Sequence, residues 1–152
     1  MIGGDTVLLD FSFKNVRSFK DEVIFSMEIG EGINDYAEEN TISTTGIDVV
    51  KSAFIFGGNA SGKTNIIRAF HLLRLAVIYG TPSELELLPF DTFGNEAGNT
   101  HFKIRFTKNG NLYYYELNYE WDAIINECLV MNNKIIFNRT IDEVIMPQLI
   151  KD

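Results

Sequence analysis

Hydrophobic and polar residues alternate at the start of the chain. Leu9, Phe11 and Phe13 fall on one face and Asp10, Ser12 and Lys14 on the other, which predicts a strand over residues 7–16. A turn around residues 18–21 and a second alternating run, 22–29, would complete a hairpin. Residues 30–47, rich in Gly, Asp, Glu, Asn, Ser and Thr, read as a loop with a short strand near 41–43. Residues 49–56, ending Ala53-Phe54-Ile55-Phe56, read as a buried strand that runs into Gly57. The period then changes. Ile66, Phe70, Leu73 and Val77 recur at helical spacing, and Ile67, Leu72 and Leu75 widen the stripe. Gly80 and Pro82 end that helix.

Residues 81–100 form a loop carrying Leu85, Leu87, Leu88, Phe90 and Phe93. Alternation then returns. Phe102, Ile104 and Phe106 interleave with Lys103, Arg105 and Thr107. Asn109-Gly110 is a strong hairpin signal, because both residues tolerate positive φ. Tyr113, Tyr115, Leu117 and Tyr119 share one face of the returning strand. A strand over 124–131, a tight turn at Asn132-Asn133 and a strand over 134–138 complete a β-meander. Thr140-Ile141-Asp142-Glu143 reads as a capping box opening a short helix to about Ile150. The whole, 1–152, reads as one partial domain: strands and helix over 1–80, the meander lobe over 81–139, and a C-terminal helix over 140–152.

Composition narrows the class. With 45% hydrophobic residues and 3 Pro, the chain can bury a core and is not disordered. No uncharged apolar run reaches about 18 residues, so no membrane-spanning helix is expected. Met1 to Asp5 lacks a basic start and an apolar run, so no secretory signal is expected and the cytoplasm is the default compartment. Cys128 alone forms no internal disulfide and no zinc site, and reads as a small core residue. The net charge of −8 is concentrated at the front: residues 1–50 hold ten acidic and three basic side chains. That argues against nucleic-acid binding by this chain alone, since phosphate neutralisation needs clustered Lys and Arg. It reads as a solvated acidic surface.

One motif carries chemistry. Gly57-x4-Gly62-Lys63-Thr64 matches the phosphate-binding pattern G-x-x-x-x-G-K-[ST] in full. A strand is expected before it and an amphipathic helix after it. Gly57, Gly58, Asn59, Ala60, Ser61 and Gly62 would turn backbone N–H groups into a concave nest for anionic oxygens. The helix aims its positive end at the same point. Lys63 is out of place structurally, because a cation in a first helical turn opposes the dipole. A bound polyphosphate removes the conflict: Lys63 would reach the terminal phosphates and the Thr64 hydroxyl would hold Mg²⁺. Asn65, next in line, belongs to the same candidate site.

Asn59-Ala60-Ser61 inside the loop resembles the loop variant of ABC-type ATPase heads of the SMC, RecF and OLD-nuclease kind. The segment Asn15-Val16-Arg17-Ser18-Phe19 resembles their N-terminal Asn-Phe-Arg-Ser-Phe stretch, with Val16 in place of Phe. Pro89-Phe90, residues 102–106, 113–117 and 125–129, and Phe137-Asn138-Arg139 are similar to AAA15/AAA21-type bacterial ATPases, many of them phage-defence proteins. The resemblance implies an α/β P-loop NTPase fold: the β-rich N-terminal lobe of an ABC-ATPase head, built of antiparallel hairpins and a meander with one main P-loop helix. It implies ATP and Mg²⁺ as cofactors and sets Arg17 near the nucleotide. Arg17 could equally be a turn residue in a surface ion pair, and Phe19 is expected in the hairpin core.

Parts of such a head are not found. There is no Leu-Ser-Gly-Gly signature, and no Walker B strand of four apolar residues ending in Asp and Glu. Neither Asp48, Asp122 nor Asp142-Glu143 follows an apolar run, so the catalytic base is unknown. His71 and His101 read as structural. The chain is expected to be the N-terminal portion of a head that binds ATP and, alone, does not hydrolyse it. Its alternative is a non-hydrolytic nucleotide-binding or oligomerisation module. The expected partners are nucleotide and either a second copy or the missing C-terminal half, with nucleic acid only for the complete protein and no membrane. Asn133-Lys134-Ile135-Ile136 lacks the Asp of a guanine-reading segment, and no basic lid suggests a small kinase. Tyr113-Tyr114-Tyr115 is better explained by strand alternation than by base stacking.

Overall fold

A computed structural model describes residues 6–30, 37–80 and 86–146. Its centre is a seven-stranded sheet in which every pairing is antiparallel. The strands are β1 (Thr6–Lys14), β2 (Val23–Ser26), β5 (Thr100–Lys108), β6 (Asn111–Tyr119), β7 (Ile124–Met131), β8 (Lys134–Thr140) and β9 (Val144–Ile145), in the order β2-β1-β5-β6-β7-β8-β9. A four-residue helix α1 (Ala37–Asn40) leads into a separate hairpin, β3 (Thr41–Thr44) and β4 (Ile47–Val50). One long helix, α2 (Lys63–Tyr79), packs on the sheet.

The expected hairpins form where their turn chemistry is strongest. Asn109 and Gly110 take φ of 52° and 74°, and Asn132 and Asn133 take 48° and 65°. These left-handed pairs match the twist of the strands they join. The long-range step is β1 against β5, with Phe11 opposite Ile104 and Phe13 opposite Phe102. It joins the front of the chain to the meander in one sheet, so the segments 1–80 and 81–139 share a single core. A bulge at Leu9 breaks the alternation of β1 without exposing that side chain.

The face of the sheet under α2 holds the core. Phe11, Phe13, Phe102, Tyr115, Leu117 and Tyr119 are buried there. Phe11 stacks on Phe70 of α2 at 3.9 Å between ring centroids. The opposite face carries cross-strand charge pairs: Lys103 with Glu22, Arg105 with Asp10 and Glu28, and His101 with Glu116. Of these pairs Asp10 and Arg105 stand directly opposite each other, which favours this register.

Four expectations are corrected. Residues 53–56 form no strand; the strand is Ile47–Val50, and Phe54 and Phe56 are 78% and 88% exposed. A P-loop strand is a parallel one and needs flanking neighbours of the same sense. Every described strand pairs antiparallel, and none flanks this segment. The buried stripe of α2 is Ala69, Leu72, Leu73 and Ala76, rotated from the expected one, so that Val77 is exposed and Ile66 and Phe70 lie at the core margin. Small Ala69 and Ala76 let the helix sit close to a sheet face already filled by aromatic rings. The Thr140–Glu143 box caps no helix. Its cap bond forms, Glu143 N donating to Thr140 Oγ1 at 3.2 Å, but Thr140 N also donates to Glu143 O and closes a turn into β9. The remainder of that expected helix, and Pro82 and Leu85, lie outside the described residues. Cys128 is half-buried on the charged face, opposite Glu116, and not in the core. Burial there, with Glu116 nearby, pushes its thiol above the usual range. The α/β expectation is thus met in its β-rich, antiparallel part with one main helix, and a parallel sheet around the P-loop is not formed among the described residues.

Candidate phosphate-binding site

The motif loop lies open at the start of α2. Gly62 is the residue before the helix, with φ of 91°, and no side chain caps the first turn. No acidic residue occupies that turn either. The helix therefore begins with a bare set of N–H groups and a cation, Lys63, where its dipole favours an anion. Gly62 is favoured by its positive φ, and both Gly57 and Gly62 lie close to a neighbouring side chain. A Cβ at Gly57 would meet Ser61 Oγ at 2.6 Å, and one at Gly62 would meet Phe19 Cζ at 3.1 Å.

Lys63 curls the loop around itself. Its Nζ donates to Gly57 O at 2.8 Å, Gly58 O at 2.5 Å and Ser61 Oγ at 3.3 Å. Ser61 N donates to Gly58 O, and Asn65 N to Gly62 O. The N–H groups of Gly58, Asn59, Ala60 and Gly62 have no protein acceptor among the described residues. Four amides without acceptors, a lysine drawn into the loop and an exposed Thr64 make a donor set suited to a polyphosphate and a hard cation.

The turn between β1 and β2 closes on the same helix start. Arg17 Nε donates to Asn65 Oδ1 at 3.0 Å, and Asn65 Nδ2 donates to Ser18 Oγ at 2.9 Å. Arg17 also forms an ion pair with Asp91, in the loop before β5. The sequence placed Arg17 near this site on resemblance alone, and the structure brings it to Asn65. Asp91 was missed, since a lone Asp in a loop carries no spacing signal. Phe19 packs edge-on against Phe13 and closes the hairpin core, as expected.

The remaining candidates separate. Asp48 lies on β4, Asp122 in the β6–β7 turn, and Asp142 and Glu143 in the β8–β9 turn. No cluster of three or more metal-ligating side chains occurs among the described residues. His101 is tied to Glu116 at 2.7 Å, whereas His71 is exposed beside Arg17 and Arg68 in a groove of about 360 Å³. The tyrosine run alternates: Tyr113 stacks on Phe106, Tyr114 donates to Glu116, and Tyr115 donates to Glu127. No helix among the described residues is long and apolar enough to cross a membrane.

Residues 52–151 match the family model described as AAA domain, putative AbiEii toxin, Type IV TA system. The chain belongs to that family. The match begins just before the P-loop and runs through the meander, so the AAA-type resemblance read from the residues is borne out over this span. The opening hairpin with Arg17 lies outside it. No curated protein matches the chain.

Proposed function

We propose that the AAA-family chain binds a nucleoside triphosphate, ATP with Mg²⁺, through Gly57 to Asn65, as the nucleotide-binding portion of an ABC-type ATPase head. The observation that carries this is the bare start of α2: acceptor-free loop amides and a first-turn lysine, with neither an acidic residue nor a side-chain cap. Lys63 would leave its carbonyl partners for the terminal phosphates, and Thr64 would hold Mg²⁺, which neutralises phosphate charge when bound. Arg17 would serve the same nucleotide. The cytoplasm suits such a ligand, and a phage-defence or toxin–antitoxin role accords with the family description.

Binding without turnover is the form we assign to this chain. Phosphoryl transfer to water needs an aligned water and an acidic group near the metal. Among the described residues, Asp48 lies on β4, Asp122 in the β6–β7 turn and Asp142 and Glu143 in the β8–β9 turn, and none of these side chains bonds to Lys63 or Asn65. Calorimetry and phosphate release on one sample test both halves. Lys63→Ala should weaken Mg-ATP binding about 100-fold or more, the effect of losing charge-assisted bonds to phosphate. Equal affinity of the two proteins refutes the site. Robust Lys63-dependent phosphate release refutes the claim of binding alone. The exposed Phe54 and Phe56 support the further proposal that residues 53–56 pair with strands from another polypeptide, a second copy or the rest of the head.

A further inference from the structure

The turn that carries Arg17 is held more firmly than a surface turn requires. Asn15 and Arg17 both take positive φ, 55° and 52°, a conformation that Asn tolerates and that is rare for Arg. Backbone strain of this kind persists only where the surroundings fix it. Here the loop before β5 fixes it. Arg17 N donates to Asp91 O at 2.7 Å, Phe93 N donates to Asn15 Oδ1 at 3.1 Å, and Asn15 Nδ2 donates to Asn99 O at 3.2 Å. That loop is itself anchored. Leu88 is buried, its N–H donates to Trp121 O, and Tyr119 Oη donates to Pro89 O at 2.6 Å. Asp91 therefore stands on a rigid base two residues from a carbonyl bonded to the sheet.

Asp91 then grips the Arg17 side chain. Its carboxylate pairs with Nη1 while Asn65 of α2 accepts from Nε. Two of the three guanidinium nitrogens are occupied, and Nη2 has no protein partner among the described residues. An arginine free in solution loses side-chain freedom when it binds phosphate; one already held loses less.

We propose that Asp91 is a positioning residue: it fixes Arg17 against the first turn of α2 so that the guanidinium is set in advance for the phosphates of the bound nucleotide. This rests on the nucleotide-binding reading above. Charge alone argues the reverse. An isolated carboxylate beside a polyphosphate site repels the ligand, so removing it would tighten binding. The two views differ in sign, which makes the matter decidable.

The test is a double-mutant cycle on Mg-ATP affinity with Asp91→Asn, Arg17→Ala and the pair, the fold of each checked by thermal unfolding. Asp91→Asn should weaken binding on the order of tenfold, a cost comparable to fixing one long side chain. In the Arg17→Ala background it should change nothing. Asp91→Glu, which restores the carboxylate, should recover most of the loss. Tighter binding by Asp91→Asn, or a loss as large without Arg17 as with it, overturns the proposal. Should Asp91→Asn fail to fold, Asp91→Ser takes its place in the same cycle: a loss present with Arg17 and absent without it supports positioning, and an equal loss or none in both backgrounds refutes it. A wild-type chain that binds no nucleotide, with Lys63→Ala indistinguishable from it, fails the underlying reading. A wild-type that binds with Asp91→Asn unchanged fails only this inference.

Discussion

The meander and the segment leading into the P-loop have similar apolar content and opposite fates. Phe102, Ile104 and Phe106 lie in a paired strand under or beside α2, whereas Phe54 and Phe56 stack on each other 6.2 Å apart in the open. The difference is one of partners. An antiparallel strand finds its neighbour across a turn of two residues, as at Asn109-Gly110. A parallel strand needs a neighbour supplied from far along the chain or from another chain, and the described residues offer none. The meander is complete in itself, and residues 53–56 have no paired strand beside them among the described residues.

The largest effect that tests this contrast is in the core. Phe102→Ala should cost about 3–5 kcal/mol of stability by denaturant titration, because it empties a site packed on all sides. An equal loss from Phe56→Ala would erase the contrast. Next comes the turn. Gly110→Val places a β-branched residue at φ of 74° and should cost about 1–2 kcal/mol, since this region is strained for L-residues. An unchanged melting temperature would mean that the strands, not the turn, set the register.

Acid should unsettle the charged face of the sheet before it reaches the aromatic one. Burial acts to raise the Glu116 carboxyl, but hydrogen bonds from Tyr114 and His101 outweigh it and hold the group below its usual value of 4.5. The hydrogen bond from Lys103 holds Glu22 below 4.5 as well. The native state then binds fewer protons than the unfolded one. Their contribution is fully present above about pH 4.5 and is lost as pH falls through the native values. Glu116→Gln should flatten the acid limb of the stability–pH curve, and an unaltered limb would remove Glu116 from the account. The smallest effect belongs to the open segment. Phe54→Ser with Phe56→Ser should change stability by no more than about 0.5 kcal/mol, as for other exposed positions. The same pair should reduce nucleotide-independent self-association in light scattering at micromolar concentration. A wild-type monomer that dimerises only when Mg-ATP is added would contradict that expectation.

Much of the fold was legible because its signals are local. Asn109-Gly110 and Asn132-Asn133 name their own turns, and period-two alternation over 102–106 and 113–119 names the buried face. The motif of residues 57–64 was legible for the same reason, since it lies in eight consecutive residues, and phosphate binding is the role we propose for it. Thr140 to Glu143 misled. A cap bond to Thr140 is common to a helix start and to a tight turn, and the pairing of Val144 and Ile145 with β8 decides for the turn. Cys128 misled because strand residues of either face look alike until the register sets Cys128 against Glu116.

Sequence by itself determined the strands of the meander, the helix that starts at Lys63 and the motif of residues 57–64 on which the proposed phosphate binding rests, because each depends on residues within a turn or two of one another. Tertiary structure alone decided that β1 lies against β5, that Ala69 and Ala76 rather than Ile67 and Val77 face the core, and that Arg17 meets both Asn65 and Asp91. Those last two contacts join positions 48 and 74 residues apart, where no local period reaches and only the packing of one sheet face beneath one helix brings the side chains together.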